Sequence, residues 1–199
     1  MKAAGVVLAA GSSSRMGTPK QLLLVEGRPL LQHVVSQATR SRLDEVVVVL
    51  GAAAELIRAA LDLGRARVVF NPDYASGMAS SLRAGLGALD VEVSRAVVIL
   101  GDQPSVSAEL LDQLLDLQSA SGLPAAALAY GSVLQPPVVL ERVLWPEPGS
   151  LLGDVGLREL IRRRPELVAA LPAASEQRRP VDIDTPEDFR RLTQPSSTA

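Results

Sequence analysis

Short runs of Val, Leu, Ile and Ala alternate along the chain with longer stretches whose apolar residues recur at helical spacing. Val6 to Ala10 reads as a first buried strand, stopped at Gly11. Pro29 stands at a favoured first helical position, and Leu30 to Thr39 follows with Leu31, Val34, Val35 and Ala38 on one side. Glu45 to Leu50 is a run of β-branched residues closed by Gly51, the pattern of a strand buried on both faces. Ala52 to Leu63 predicts an Ala/Leu-rich helix, Arg67 to Phe70 a third strand, and Ala96 to Leu100 a fourth. Ser107 to Ser119 predicts an amphipathic helix, and Ala125 to Tyr130 and Pro137 to Leu140 two strands around Gly131-Ser132. Near the end, Val181 to Asp184 alternates as a short strand, and Thr185-Pro186 opens a last helix with Glu187 and Asp188 in its first turn. Strands and helices in this order predict one α/β domain over residues 1–192, with a mostly parallel sheet and helices on both faces. Thr193 to Ala199 is a polar tail expected to be disordered.

Composition narrows the chemistry. At 199 residues the chain can bury a sizeable core without a staple. The absence of cysteine removes disulfides, thiolate catalysis and thiolate metal sites, and a single histidine, His33, removes a histidine cage. His33 lies on the first helix with no acid or nucleophile at matching spacing, so it reads as a packing residue. A net charge of -2 argues against nucleic acid or a membrane surface as partner, and neither a signal peptide nor a run of transmembrane length is visible. A cytoplasmic enzyme or binding protein is expected.

Four stretches carry candidate chemistry. The first runs from Leu8 through Ala9, Ala10, Gly11, Ser12 and Ser13 to Arg15 and Lys20. Small residues after a strand let backbone N–H groups approach an anion, Arg15 can grip phosphate oxygens with its planar fork, and Lys20 adds a point charge. The spacing fits neither a Walker loop nor a dinucleotide fingerprint. The second holds Gly77, Ser80 and Ser81, where glycine permits close approach and the serines stand at a helix start. They serve either as a plain helix cap or as a wall of a nucleotide site. The third is Gly101-Asp102-Gln103-Pro104, which puts a carboxylate at the carboxyl end of a strand, where parallel sheets bind ligands; Asp102 suits Mg²⁺. The fourth contains Asp182 and Asp184 on one face of the closing strand. The basic run Arg162-Arg163-Arg164 ends a helix before Pro165 and reads as structural, favoured by the helix dipole, with phosphate recognition as the alternative.

Leu-Ala-Ala-Gly-x-Ser-x-Arg-Met-Gly-x-x-Lys at Leu8 to Lys20 resembles the signature of the molybdenum-cofactor nucleotidyltransferases, in its cytidylyltransferase (Ala-Ala-Gly) form. Gly77-Met78-x-x-Ser81-Leu82, Gly101-Asp102-Gln103-Pro104 and Asp184-Thr185-Pro186-Glu187-Asp188 resemble later segments of the same family in the same order. The resemblance implies a single Rossmann-like nucleotidyltransferase domain with one small antiparallel edge. It implies Arg15 and Lys20 as catalytic cations, Leu8 to Ser13, Gly77, Ser80, Ser81 and Asp102 around the nucleotide, and Mg²⁺ between Asp102 and Asp184. Asp182 is a weaker metal candidate. For the acceptor it points to Gln103, Gln135, Pro136, Gly153, Asp154 and Arg158, although Gln135-Pro136 stands where relatives commonly carry His-Pro, and glutamine cannot take up a proton.

By this resemblance the donor is CTP, the acceptor molybdopterin, and a molybdenum hydroxylase a partner of the product. A phosphate monoester is largely dianionic at neutral pH, its second pKa being about 6, so no general base is required. Alternatives are a different phosphorylated acceptor, an oxidoreductase holding a flavin phosphate on the same scaffold, and a cofactor chaperone that binds nucleotide without turnover.

Overall fold

The structure, a computed structural model, describes residues 1–13, 17–145, 161–173, 182–183 and 185–193. The strands are β1 (Lys2–Leu8), β2 (Leu24–Val25), β3 (Arg28–Pro29), β4 (Glu45–Leu50), β5 (Arg67–Phe70), β6 (Val93–Leu100), β7 (Ala125–Tyr130), β8 (Val133–Glu141) and β9 (Val168–Pro172). The helices are α1 (Leu30–Arg40), α2 (Ala54–Ala60), α3 (Met78–Gly87), α4 (Ala108–Ser121) and α5 (Pro186–Thr193). Seven strands form one sheet in the order β5-β4-β1-β6-β8-β7-β9, and β2 and β3 form a separate small hairpin.

The central strands are continuous apolar runs because both sheet faces are covered. Val6, Leu8, Val47, Val49, Val98 and Leu100 pack under α3, while Val7, Val48, Leu50, Val97 and Ile99 pack with the apolar sides of α1 and α4. In α1 the buried residues are Leu30, Leu31, Val34, Val35 and Ala38, the stripe that the periodicity predicts together with Leu30. His33 Nε2 lies 2.7 Å from the Val25 carbonyl and ties α1 to the hairpin, the packing role expected for it.

Three local expectations are corrected. Pro29 is the N-cap of α1 and not its first helical residue. The predicted helix 52–63 is limited to Ala54–Ala60. Gln32 explains the early stop: its amide donates to the Asp62 carbonyl (2.6 Å) and its side-chain oxygen accepts from the Asp62 N–H (2.8 Å), so Asp62 spends its backbone groups outside a helix. The antiparallel strand is not a small edge. β8 has nine residues, lies inside the sheet, and pairs antiparallel with β6 on one side and β7 on the other. The other six strands of this sheet run parallel to one another.

Residues 161–163 are helical, and exposed Arg162, Arg163 and Arg164 precede the turn at Pro165. Asp182 and Ile183 adopt no strand, and Val181 and Asp184 lie outside the described residues, so the expected alternation is not tested there. Thr193 belongs to α5, one residue beyond the expected domain end. Ile183 is instead a plug. It is 1% exposed and packs with Val25, Leu30 and Phe189, joining the closing segment to the β2–β3 hairpin. Ile183→Ala is expected to cost about 2–5 kcal/mol, the range for deleting a buried aliphatic side chain, as a lower urea midpoint at unchanged slope.

Candidate active site

From β1 the chain crosses through α1 to β4 on one side, continues to β5, and returns through α3 to β6 on the other side of β1. Such a reversal leaves a crevice at the carboxyl ends of the two strands flanking it. The backbones stay locked together up to that point: Leu8 is in register with Leu100, the Gly101 N–H donates to the Leu8 carbonyl (2.9 Å), and the Ala9 N–H donates to the Val49 carbonyl (2.9 Å). Above them lies a cleft of about 650 Å³.

Lys20 and Asp102, 82 residues apart, meet in this cleft. Lys20 Nζ donates to Asp102 Oδ2 at 2.6 Å, and the two side chains are only 17% and 16% exposed. Asp102 Oδ1 is buried and accepts no hydrogen bond among the described residues. Two effects compete at this carboxyl. Burial disfavours its charged form and Lys20 favours it; burial wins, with Asp182 adding repulsion, and the Asp102 pKa lies above the ordinary carboxylate value. Asp182 reaches this position because the Ile183 N–H donates to the Asp102 carbonyl (3.3 Å) while Ile183 is plugged into the hairpin cluster. Asp182 Oδ1 accepts from Gln103 Nε2 at 2.7 Å.

The opposite wall is the entry to α3. Gly77 stands at φ 103°, a conformation that side chains disfavour. Buried Asn71 donates to the hydroxyls of both Ser80 (2.8 Å) and Ser81 (3.0 Å). Tyr74 lies across Gly51 so closely that a Cβ on that glycine would fall 2.4 Å from the Tyr74 Cβ.

Most of the expected nucleotide residues line this cleft: Leu8, Ala9, Ala10, Gly11, Ser12, Ser13, Lys20, Gly77, Ser81 and Asp102, together with Asp182. Ser80 does not. Its hydroxyl is buried against the Asp73 and Gly77 carbonyls, where it shapes the turn. Gln103 and Gln135 are 1% and 2% exposed and do not line the cleft; Gln103 stands behind Asp182, and Gln135 faces Leu128 beside a bulge between β7 and β8. Pro136 is likewise buried in β8. Arg15, Gly153, Asp154, Arg158 and Asp184 lie outside the described residues. The structure adds Gln21, Tyr74 and Met78 to the lining and Asn71 behind it. Asn71 precedes Pro72 and reads from sequence only as a turn residue. Gln21 carries no signal beyond adjacency to Lys20.

A divalent cation fits what is present. Asp102 Oδ1 is a hard oxygen with no donor among the described residues, and Asp182 is a second carboxylate on the same cleft. Among the described residues no cluster of three or more acidic, histidine or cysteine side chains forms a metal cage. One or two carboxylates completed by substrate phosphates is the arrangement Mg²⁺ favours. A loop of backbone N–H groups, a half-buried cation and a carboxylate thus meet at a sheet reversal of an α/β protein.

Comparison with known proteins agrees. Residues 5–170 match the model of the MobA-like NTP transferase domain, and the chain belongs to this nucleotidyltransferase family. It is 36% identical to nicotine blue oxidoreductase of Paenarthrobacter nicotinovorans, over 94% of this chain and 95% of that protein. It is 31% identical to the purine catabolism protein PucB of Bacillus subtilis, over 93% of each. Its fold matches the crystal structure of Rv0371c from Mycobacterium tuberculosis with a TM-score of 0.86 and 32% identity, covering 96% and 97% of the two chains. Rv0371c has also been solved in complex with manganese. Among the described residues no helix is long and apolar enough to cross a membrane.

Proposed function

We propose that this protein transfers CMP from CTP to the phosphate of molybdopterin and releases pyrophosphate. The observation that carries the reading is the Lys20–Asp102 pair at the reversal between β1 and β6, with one Asp102 oxygen left for a cation. An acceptor phosphate oxygen attacks the α-phosphorus, the bond from that phosphorus to the bridging oxygen breaks, and the electron pair leaves with pyrophosphate. The attacking phosphate is already anionic, so the protein's work is alignment and charge stabilisation.

In this reading the backbone of Gly11 to Ser13, together with Arg15 and Lys20, holds the triphosphate. Asp102 and Asp184 hold Mg²⁺, with Asp182 close enough to assist, and the ion when bound offsets charge on phosphate oxygens. Ser81 and Gly77 border the nucleotide. Gly153, Asp154 and Arg158 border the acceptor, while buried Gln103 acts through Asp182, and Gln135 and Pro136 support the strand beside it. A molybdenum hydroxylase is the consumer that such a product implies.

One observation favours a second reading. The 36% identity with nicotine blue oxidoreductase spans almost both chains, so an oxidoreductase that seats a flavin phosphate in the same cleft is the alternative. One experiment separates them: pyrophosphate release from each of the four triphosphates, with and without molybdopterin, after recording the absorbance of the purified protein. A colourless protein that releases pyrophosphate only with CTP and molybdopterin supports the transferase. A yellow protein with flavin absorbance and no pyrophosphate release overturns it.

A further inference from the structure

The loop after β1 presents backbone to the cleft, and backbone offers oxygens as well as N–H groups. An anion is attracted by one and repelled by the other, so something must decide which it meets. All three carbonyls from Ala9 to Gly11 are engaged. The side-chain amide of Gln21 donates to the Ala9 carbonyl (2.8 Å) and the Gly11 carbonyl (3.1 Å), and the Ala52 N–H donates to the carbonyl of Ala10 (3.2 Å). By contrast, the N–H groups of Ala10, Gly11, Ser12 and Ser13 have no partner among the described residues. Ser13 stands at φ 52°, the left-handed region that occurs in anion-binding turns.

Gln21 can do this because a carboxamide has two hydrogens and one oxygen, and all are used. The hydrogens serve the two carbonyls, and the oxygen accepts from Ser13 Oγ (3.3 Å), which itself accepts from the Lys20 N–H (3.0 Å). The residue is only 3% exposed. One residue thereby fixes both the loop and the backbone of the catalytic cation beside it.

We infer that Gln21 is a positioning residue: it engages the Ala9 and Gly11 carbonyl oxygens, so that this part of the first loop turns N–H donors, with Lys20 beside them, towards a polyphosphate. This rests on the nucleotide reading above and adds a determinant to it. A glutamate would keep the length and the bond from Ser13 but set carboxylate oxygen against two carbonyls, and a methionine would keep the volume and remove every bond.

The test measures binding of inorganic tripolyphosphate, which has no base, and of CTP, by calorimetry on folded protein well below its melting temperature. Gln118 supplies the control, since it too is a buried glutamine whose amide donates to two oxygens, those of Leu123 and Glu141, far in sequence from the loop. Gln21→Met and Gln21→Glu are each expected to weaken both ligands tenfold or more. Gln118→Met is expected to lower the melting temperature and leave both affinities within twofold. Should Gln21→Met fail to fold, Gln21→Glu alone decides. Affinities within twofold of wild type in a folded Gln21 variant, or an equal loss in Gln118→Met, overturn the inference. Wild-type protein that binds neither ligand overturns the nucleotide reading itself, and the role of Gln21 with it.

Discussion

Lys20→Ala is expected to lower nucleotidyl-transfer turnover by roughly 10²–10³, the scale seen when one preorganised charge stabiliser is removed. The loss is expected mainly in kcat, because a cation placed against developing charge acts most in the transition state. The same substitution has a structural consequence that must be measured beside it. The Asp102 side chain is only 16% exposed and Lys20 is the cation bonded to its carboxylate, so removing the ammonium leaves a charge in a poor environment. Breaking a buried pair from one side commonly costs about 3–5 kcal/mol. Here the cost is capped, because burial has already raised the Asp102 pKa and the carboxyl can take up a proton instead. The stability loss in Lys20→Ala is therefore expected to be small at low pH, where Asp102 is neutral in both proteins, and to grow as pH rises. Chemical denaturation at several pH values checks this, and turnover measured where the variant stays folded isolates the catalytic part. Near-wild-type turnover would remove Lys20 from the reaction.

The sequence reveals the features governed by local pattern. β4 is found over the residues that its apolar run delimits, since a strand covered on both faces has nothing else to be, and β5, a half-exposed edge strand, is found over Arg67–Phe70 as expected from its β-branched pair Val68-Val69. The loop after β1 and Asp102 after β6 are legible for the same reason: each ends a buried strand, and the chain-level reversal of strand order brings such ends together. What pattern cannot show is satisfaction of polar groups between distant segments. Gln32 stops α2 from a helix 30 residues away, and Asn71 orients Ser81 from behind the cleft wall. Gln21 is silent in the sequence because its partners are backbone carbonyls, which every residue has. The interior position of β8 has a related cause. A hairpin at Gly131-Ser132 predicts two antiparallel neighbours, but which of them pairs with β6 depends on the course of the chain beyond it.

Asp102→Asn is expected to abolish the metal dependence of triphosphate binding and, in the metal-free protein, to raise the melting temperature at neutral pH. The two effects have one origin. The folded pKa of Asp102 is raised, chiefly by burial, so between the ordinary carboxylate value and the raised one the native state holds a proton that the unfolded chain has released. A native state that binds more protons loses stability as pH rises through that window. The loss is complete above the folded value, where the ionised carboxyl stands buried with one oxygen unpartnered. Asparagine does not titrate, so that decline is absent in the variant, and its side-chain oxygen can still accept from Lys20. Melting curves against pH should therefore separate on the neutral side, with Asp102→Asn the higher. Calorimetry with CTP, with and without Mg²⁺, should show tighter binding with metal in wild type and no difference in the variant. Parallel melting curves, or an unchanged response to Mg²⁺, would count against a metal role for Asp102. Should the curves separate in this way, asparagine would serve the empty fold better than aspartate, and the proposed metal role supplies the reason for keeping the charge.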